Sequence, residues 1–226
     1  MDRGPSHYGA HLIYQATEDT YVKAAEAVPH PYLRTIMNII THKKALRVEA
    51  KRIRAGAAEM LGIAAAEQAA DHGLKLFSSF ERGAIIAGYW PLGDEFDPRF
   101  LMQKLERAGY RIALPAVTQE NTPLTFRLWG QGDPLEQGKY GTAHPSPDAP
   151  EVVPHALISP LLAFDEDCYR LGWGGGYYDR TLSANSSIKA FGFAYAAQFV
   201  ENLPRGQHDW PLQGVITETG VILPKK

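Results

Sequence analysis

Residues 84–114 read Ala84-Ile-Ile-Ala-Gly-Tyr-Trp90-Pro-Leu-Gly-Asp-Glu-Phe-Asp97-Pro-Arg-Phe-Leu101-Met-Gln-Lys-Leu105-Glu-Arg-Ala-Gly109-Tyr-Arg-Ile-Ala-Leu114, and their pattern decides the fold class. Ala84 to Tyr89 is a short apolar run with a β-branched pair that stops at Trp90-Pro91, which predicts a buried strand. Asp97-Pro98 opens a helix with proline in its first turn. Leu101, Leu105 and Ala108 give that helix one apolar face, and Gly109 ends it. Tyr110 to Leu114 is the next strand. Strand, helix and strand with short connections form a βαβ unit, which implies a parallel sheet covered by helices and hence an α/β fold.

Upstream, Leu46, Ala50, Ile53 and Ala57 recur at helical spacing in a basic run that holds Lys43, Lys44, Arg47, Lys51, Arg52 and Arg54. Thr41 suits the cap of this helix, and a second helix is expected over about 63–80. Residues 1–36, with Gly4, Pro5, Pro29 and Pro31 around a weakly periodic middle from Leu12 to Ala27, read as a dispensable extension or a mis-assigned start. The working domain is expected to begin near Met37 and to run as one unit over 37–226. Downstream, strands are expected at Leu124 to Trp129, His155 to Ser159, Ala190 to Tyr195 and Val215 to Thr217. Between Gly130 and Pro154 lie four glycines and five prolines, which predicts one long loop without regular structure.

The chain has 226 residues with 23 basic and 25 acidic side chains, so a core can form and no global basic field exists to hold nucleic acid or an anionic membrane. No apolar run reaches the ~18 residues of a membrane span. The single cysteine, Cys168, makes no internal disulfide, and with no signal or transit pattern the cytoplasm is the expected compartment.

One segment carries chemistry: Arg170-Leu171-Gly172-Trp173-Gly174-Gly175-Gly176-Tyr177-Tyr178-Asp179-Arg180. Four glycines in five positions permit positive φ angles and leave backbone amides bare. Amides converging at the start of a helix over Tyr177 to Ala184 make an anion site for a phosphate chain. A glycine cluster alone is more often a tight turn, but its flanks favour a ligand. Arg170 and Arg180 suit phosphate oxygens, Asp179 offers a hard carboxylate, and Tyr177 and Tyr178 offer ring faces. The segment is neither Walker A, which needs Lys-Ser/Thr after the last glycine, nor the dinucleotide fingerprint, which needs glycine where Tyr177 stands.

This segment resembles the ATP loop of the 5-formyltetrahydrofolate cyclo-ligase (methenyltetrahydrofolate synthetase) family. Three weaker matches follow in the family's order: Lys43-Lys-Ala-Leu-Arg47, Trp90-Pro-Leu-Gly-Asp-Glu-Phe-Asp97, and Gln207-His-Asp209 with Val215-Ile-Thr-Glu218. The resemblance covers about Lys43 to Leu223. It implies a three-layer α/β domain with a central, mostly parallel sheet, related to the sugar-phosphate isomerase and CoA-transferase architecture (NagB/RpiA/CoA-transferase-like).

The resemblance also implies a reaction, in which ATP and 5-formyltetrahydrofolate give 5,10-methenyltetrahydrofolate, ADP and phosphate with magnesium present. It implies ATP binding by Lys43, Arg47, Arg170, Leu171, Gly172, Trp173, Gly174, Gly175, Gly176, Tyr177 and Tyr178, with Arg170 and Tyr178 catalytic. It implies folate contacts at Trp90, Glu95, Tyr140, Trp173 and Tyr177, and magnesium ligands Asp179 and Asp209. Glu95 suits the pterin end, because a carboxylate accepts paired N–H donors from an aminopyrimidine. The middle loop departs from the family: Gly141-Thr-Ala-His144-Pro145 stands where the pattern is Gly-Ile-x-Glu-Pro. The implied partners are small molecules, ATP and the folate with any polyglutamate tail, bound by a monomer that engages neither nucleic acid nor membrane.

Two rivals are distinguishable. An isomerase or CoA-transferase relative needs a dedicated acid/base carboxylate or glutamyl nucleophile and turns over without ATP. A non-catalytic nucleotide- or RNA-binding relative needs a basic surface with aromatic platforms, which the near-neutral charge does not supply.

Overall fold

The computed structural model describes residues 31–225. The weakly periodic stretch Leu12 to Ala27, and most of the expected extension over 1–36, lie outside them. The chain divides into two compact units, Met1–Leu46 and Arg47–Lys226. The described part of the first unit is helical.

Helix α1 is Pro31–Phe77, broken at Gly62, where φ 59° and ψ −155° leave the helical region. Thr41 is therefore inside a helix and does not cap one. The apolar period continues upstream through Ile36, Ile39 and Ile40, so the helix has no reason to start at Thr41. The two helices read from the sequence are the two sides of the Gly62 break.

The elements that follow are β1 (Ile85–Ala87), α2 (Arg99–Arg107), β2 (Arg111–Ala116), β3 (Thr125–Leu128), β4 (Leu135–Gln137), β5 (Ala143–Pro145), β6 (Glu151–Val152) and β7 (Ala156–Ser159). After these come β8 (Ala163–Phe164), β9 (Arg170–Leu171), α3 (Tyr177–Ala184), β10 (Lys189–Phe193), β11 (Gly214–Thr217) and β12 (Gly220–Ile222). The main sheet has eight strands in the order β12-β11-β10-β7-β1-β2-β3-β6. Its centre, from β11 through β2, is parallel, and β12, β3 and β6 add antiparallel edges. The βαβ unit is present: Ile86 pairs with Ile112 across parallel β1 and β2, with α2 as the crossover.

Alternation along the strands explains the layering. Ile86, Ile112, Ile158 and Ile216 enter a core with Ala57, Ala69 and Phe77 of α1 and Leu101 and Leu105 of α2. Their neighbours Ala87, Ala113, Leu157 and Val215 enter the opposite core with Leu182 of α3. A sheet buried on both faces needs a helical layer on each, which is the three-layer α/β fold.

The single long loop expected over residues 130–154 is not found. Strands β4 and β5 form a hairpin, pairing Glu136 with His144, and β6 edges the main sheet. Gly138 has extended backbone and sits opposite the His144 ring, which a Cβ there would approach to 2.6 Å. Glycine in this hairpin makes room for a neighbouring side chain, so glycine content does not exclude strand pairing.

Candidate functional site

In open parallel sheets, ligands bind where the strands' carboxyl ends release their loops. Here the loop after β1 carries Asp94 and Glu95. The turn after β10 is held by Glu218, just past β11, whose carboxylate accepts the Ala196 N–H at 3.0 Å. The glycine loop joins this edge from β9. That strand pairs with β8, and the chain passes through Gly172–Gly176 directly into α3.

Two of the four glycines adopt the conformation that requires glycine: Gly174 at φ 106° and Gly176 at φ 65°. Gly176 is the N-cap of α3 and carries no side chain, so no side chain caps the first-turn N–H groups. Bare loop amides thus lead into the positive end of α3, an arrangement suited to an anion. Its braces are side chains on either side. Arg180 turns back, donating to the Gly175 carbonyl at 2.6 Å and the Thr122 carbonyl at 3.2 Å. Arg47 Nε donates to the Gly172 carbonyl at 2.9 Å and ties α1 to the loop.

Arg170 is buried and its guanidinium is bonded internally. Nη2 reaches Asp179 Oδ1 at 2.8 Å, and Nη1 reaches the Trp210 carbonyl at 3.0 Å. The Trp210 N–H also donates to Asp179 Oδ1, at 3.2 Å. Asp179 and the neighbour of Asp209 are thus stapled together. Asp209 Oδ2 accepts the Gly206 N–H at 2.6 Å. Among the described residues no cluster of three or more His, Cys, Asp or Glu is arranged for a metal. Asp179 and Asp209 are the two carboxylates that the resemblance assigns to magnesium, and each accepts a backbone N–H.

The residues expected on the folate side fall into three groups. Trp173, half-exposed at the loop's tip, donates its indole N–H to Glu95 Oε1 at 2.9 Å. Glu95 is buried, and its Oε2 accepts the Leu92 N–H at 3.0 Å. The second group is Tyr140 and Tyr177, whose ring centroids are 6.5 Å apart. Tyr140 stands between β4 and β5 in left-handed backbone, φ 60°. Burial first, and then the bond to Tyr140, push the Tyr177 hydroxyl up to about 12. Burial, aided by the charge of Glu95, raises Tyr178 further, so both phenols keep their protons. Trp90 is the third: its ring packs edge-on against Trp129 at 5.8 Å and under Arg99 at 5.2 Å. Trp90 lines a cleft of about 320 Å³ with Asp97, Phe100 and Trp129, and no glycine-loop residue lines that cleft.

Sequence reasoning missed Lys51 and Arg54. Lys51 Nζ lies 4.5 Å and Arg54 Cζ 5.1 Å from the Trp173 ring. The signal was available, because positions 47, 51 and 54 share one helical face. Lys43 belongs to the first unit, where it lies half-exposed on α1. Cys168 is buried, and burial followed by the charges of Asp165 and Asp167 pushes its thiol up to about 11, which disfavours the nucleophilic thiolate.

Residues 39–218 match the model of the 5-formyltetrahydrofolate cyclo-ligase family. A Haemophilus influenzae 5-formyltetrahydrofolate cyclo-ligase is 32% identical over 181 residues, covering 77% of this chain and 96% of the relative. The Escherichia coli K12 enzyme of that name is 36% identical over 143 residues, covering 60% and 79%. Among solved structures, the 5,10-methenyltetrahydrofolate synthetase of Aquifex aeolicus superposes with a TM-score of 0.66 at 25% identity, over 81% of this chain and 93% of that one. The Mycoplasma pneumoniae synthetase, at 22% identity and TM-score 0.62 over 78% and 98%, shares the fold.

Proposed function

The chain belongs to the 5-formyltetrahydrofolate cyclo-ligase family, and from that premise we propose that it converts 5-formyltetrahydrofolate to 5,10-methenyltetrahydrofolate with ATP as phosphoryl donor. The observation that carries the reading is the juxtaposition of an amide-lined, uncapped start of α3 with a buried carboxylate, Glu95, bridged by Trp173.

The chemistry asks for this pairing. A formamide carbonyl is a poor electrophile because its nitrogen donates into it, so its oxygen must become a leaving group. In the proposed route the formyl oxygen attacks the γ-phosphorus and ADP leaves. N10 then adds to the activated carbon, loses its proton, and expels phosphate to leave the methenyl bridge. Phosphoryl transfer asks a protein mainly for positioning and charge neutralisation. The amides of Gly174 to Tyr178 cradle phosphate oxygens, and Arg47 fixes the cradle through Gly172. Arg170 acts by holding Asp179 against the backbone of Trp210, the residue after Asp209. Those two aspartates would hold magnesium, which when bound neutralises phosphate charge. Glu95 receives the pterin's N–H donors in a buried, low-dielectric setting, and the neutral phenols of Tyr177 and Tyr178 border the transfer point. Lys43 enters the proposal only on its match to the family pattern.

Incubating the protein with 5-formyltetrahydrofolate and MgATP should produce methenyl absorbance with one ADP released per turnover. Absorbance without ATP, or ATP hydrolysis without the folate product, would overturn the reading.

A further inference from the structure

Arg54 has an unusual environment for a guanidinium. Its side chain is 1% exposed, and its Nη2 donates to Asp94 Oδ1 at 2.6 Å. Nε and Nη1 have no hydrogen-bond partner among the described residues. Nη1 stops 3.8 Å from Glu95 Oε1, beyond hydrogen-bond reach. A buried donor left unpaired is costly, the more so on a charged group, so such an atom needs an explanation.

The surroundings supply one. Glu95 Oε1 is the atom that accepts the Trp173 indole N–H, and that indole lies over the Arg54 guanidinium. Donor and acceptor therefore converge beneath a flat, N–H-bearing ring. The local charges balance, with Arg54 and Lys51 against Asp94 and Glu95. A charge-balanced pair of this kind, Glu95 Oε1 as acceptor and Arg54 Nη1 as donor, fits an uncharged heteroaromatic edge carrying N–H groups beside a carbonyl oxygen. A 2-amino-4-oxopyrimidine ring has that edge.

Resting on the proposed function, we infer that Arg54 is a further substrate-binding residue, donating to the 4-oxo oxygen of the pterin while Glu95 accepts its N–H groups. The Trp173 indole holds this place through its bond to Glu95, and the incoming ring displaces that bond. Asp94 keeps the guanidinium charged and oriented by fixing Nη2. Exchanging the 4-oxo for a 4-amino group turns the acceptor facing Arg54 into a donor, leaving the arginine unsatisfied again.

The test is a binding comparison of 5-formyltetrahydrofolate and its 2,4-diamino counterpart on the wild type, Arg54→Met and Arg54→Lys, with MgATP affinity measured alongside. The wild type should prefer the 4-oxo ligand by about tenfold or more. Arg54→Met should erase that preference while MgATP affinity stays within about twofold. Should Arg54→Met not fold, Arg54→Lys, which keeps the charge but loses the fork, should reduce the preference several-fold. Equal losses for both ligands, with the preference intact, would assign Arg54 a purely structural role and overturn the inference. A wild type that turns over 5-formyltetrahydrofolate yet shows no 4-oxo preference also overturns it. A wild type that neither binds nor turns over that folate would instead sink the proposed function.

Discussion

The indole N–H of Trp173 donates to Glu95 Oε1 across 2.9 Å, joining the tip of the glycine loop to the buried acid of the loop after β1. In the proposed binding mode, substrate N–H groups reach that oxygen by displacing the indole. Trp173→Phe keeps a ring and removes the donor, so the KM for the folate should fall by about fivefold while the KM for ATP is unchanged. Steady-state kinetics with each substrate varied in turn will check this, and an unchanged folate KM would remove the competition.

Asp179 faces the buried Arg170 at 2.8 Å, so it balances a charge as well as serving the proposed metal. Asp179→Asn should lower turnover by about a hundredfold or more. It should also lower the melting temperature by about 5 °C, because Arg170 loses its counter-charge. Adding Arg170→Met to Asp179→Asn should recover part of the melting temperature and none of the turnover. Thermal melts and initial rates of the two single variants and the double variant separate the roles.

Cys168 sets an alkaline limit on stability. The folded thiol holds its proton up to about 11, whereas its ordinary value is 9.0. Below pH 9 both states are protonated and the fold keeps its full stability. As pH rises from 9 through 11 the unfolded chain releases the proton first, so stability falls across that window. Denaturant titrations at pH 8, 9, 10 and 11 should show a fall that is smaller in Cys168→Ala. At pH 8 the native thiol should react with a disulfide reagent far more slowly than the unfolded chain.

Tyr140 and Tyr177 couple the β4–β5 hairpin to the start of α3. Tyr177→Ala should raise the folate KM by about tenfold. Tyr140→Ala should raise it less, and the double variant should cost less than the product of the two, as expected for side chains that act together. A strictly multiplicative double variant would show that the rings act separately.

Residues 84–114 carried the fold in the sequence because period and punctuation agree there: a β-branched strand, a proline-opened helix and a terminal glycine each act locally. Four further strands in the sheet were visible for the same reason. The short pairs β4–β5 and β8–β9 were not, because those strands are held by their partners and not by a pattern of their own. The start of α1 was misread at Thr41, since a capping residue caps only where the apolar period stops. At the candidate site the glycine loop was legible as chemistry, whereas Glu95 read as an ordinary loop acid apart from the family resemblance. Lys51 and Arg54 lie on the same helical face as Arg47, but a basic run in sequence does not separate a solvated charge from one buried against Asp94 and the Trp173 ring.

The central claim is that the formyl oxygen is phosphorylated, and isotope transfer tests it most directly. With 5-formyltetrahydrofolate carrying oxygen-18 in the formyl group and unlabelled ATP and water, the label should leave in inorganic phosphate, one atom per methenyl product. Label appearing in water, with unlabelled phosphate, would contradict the account.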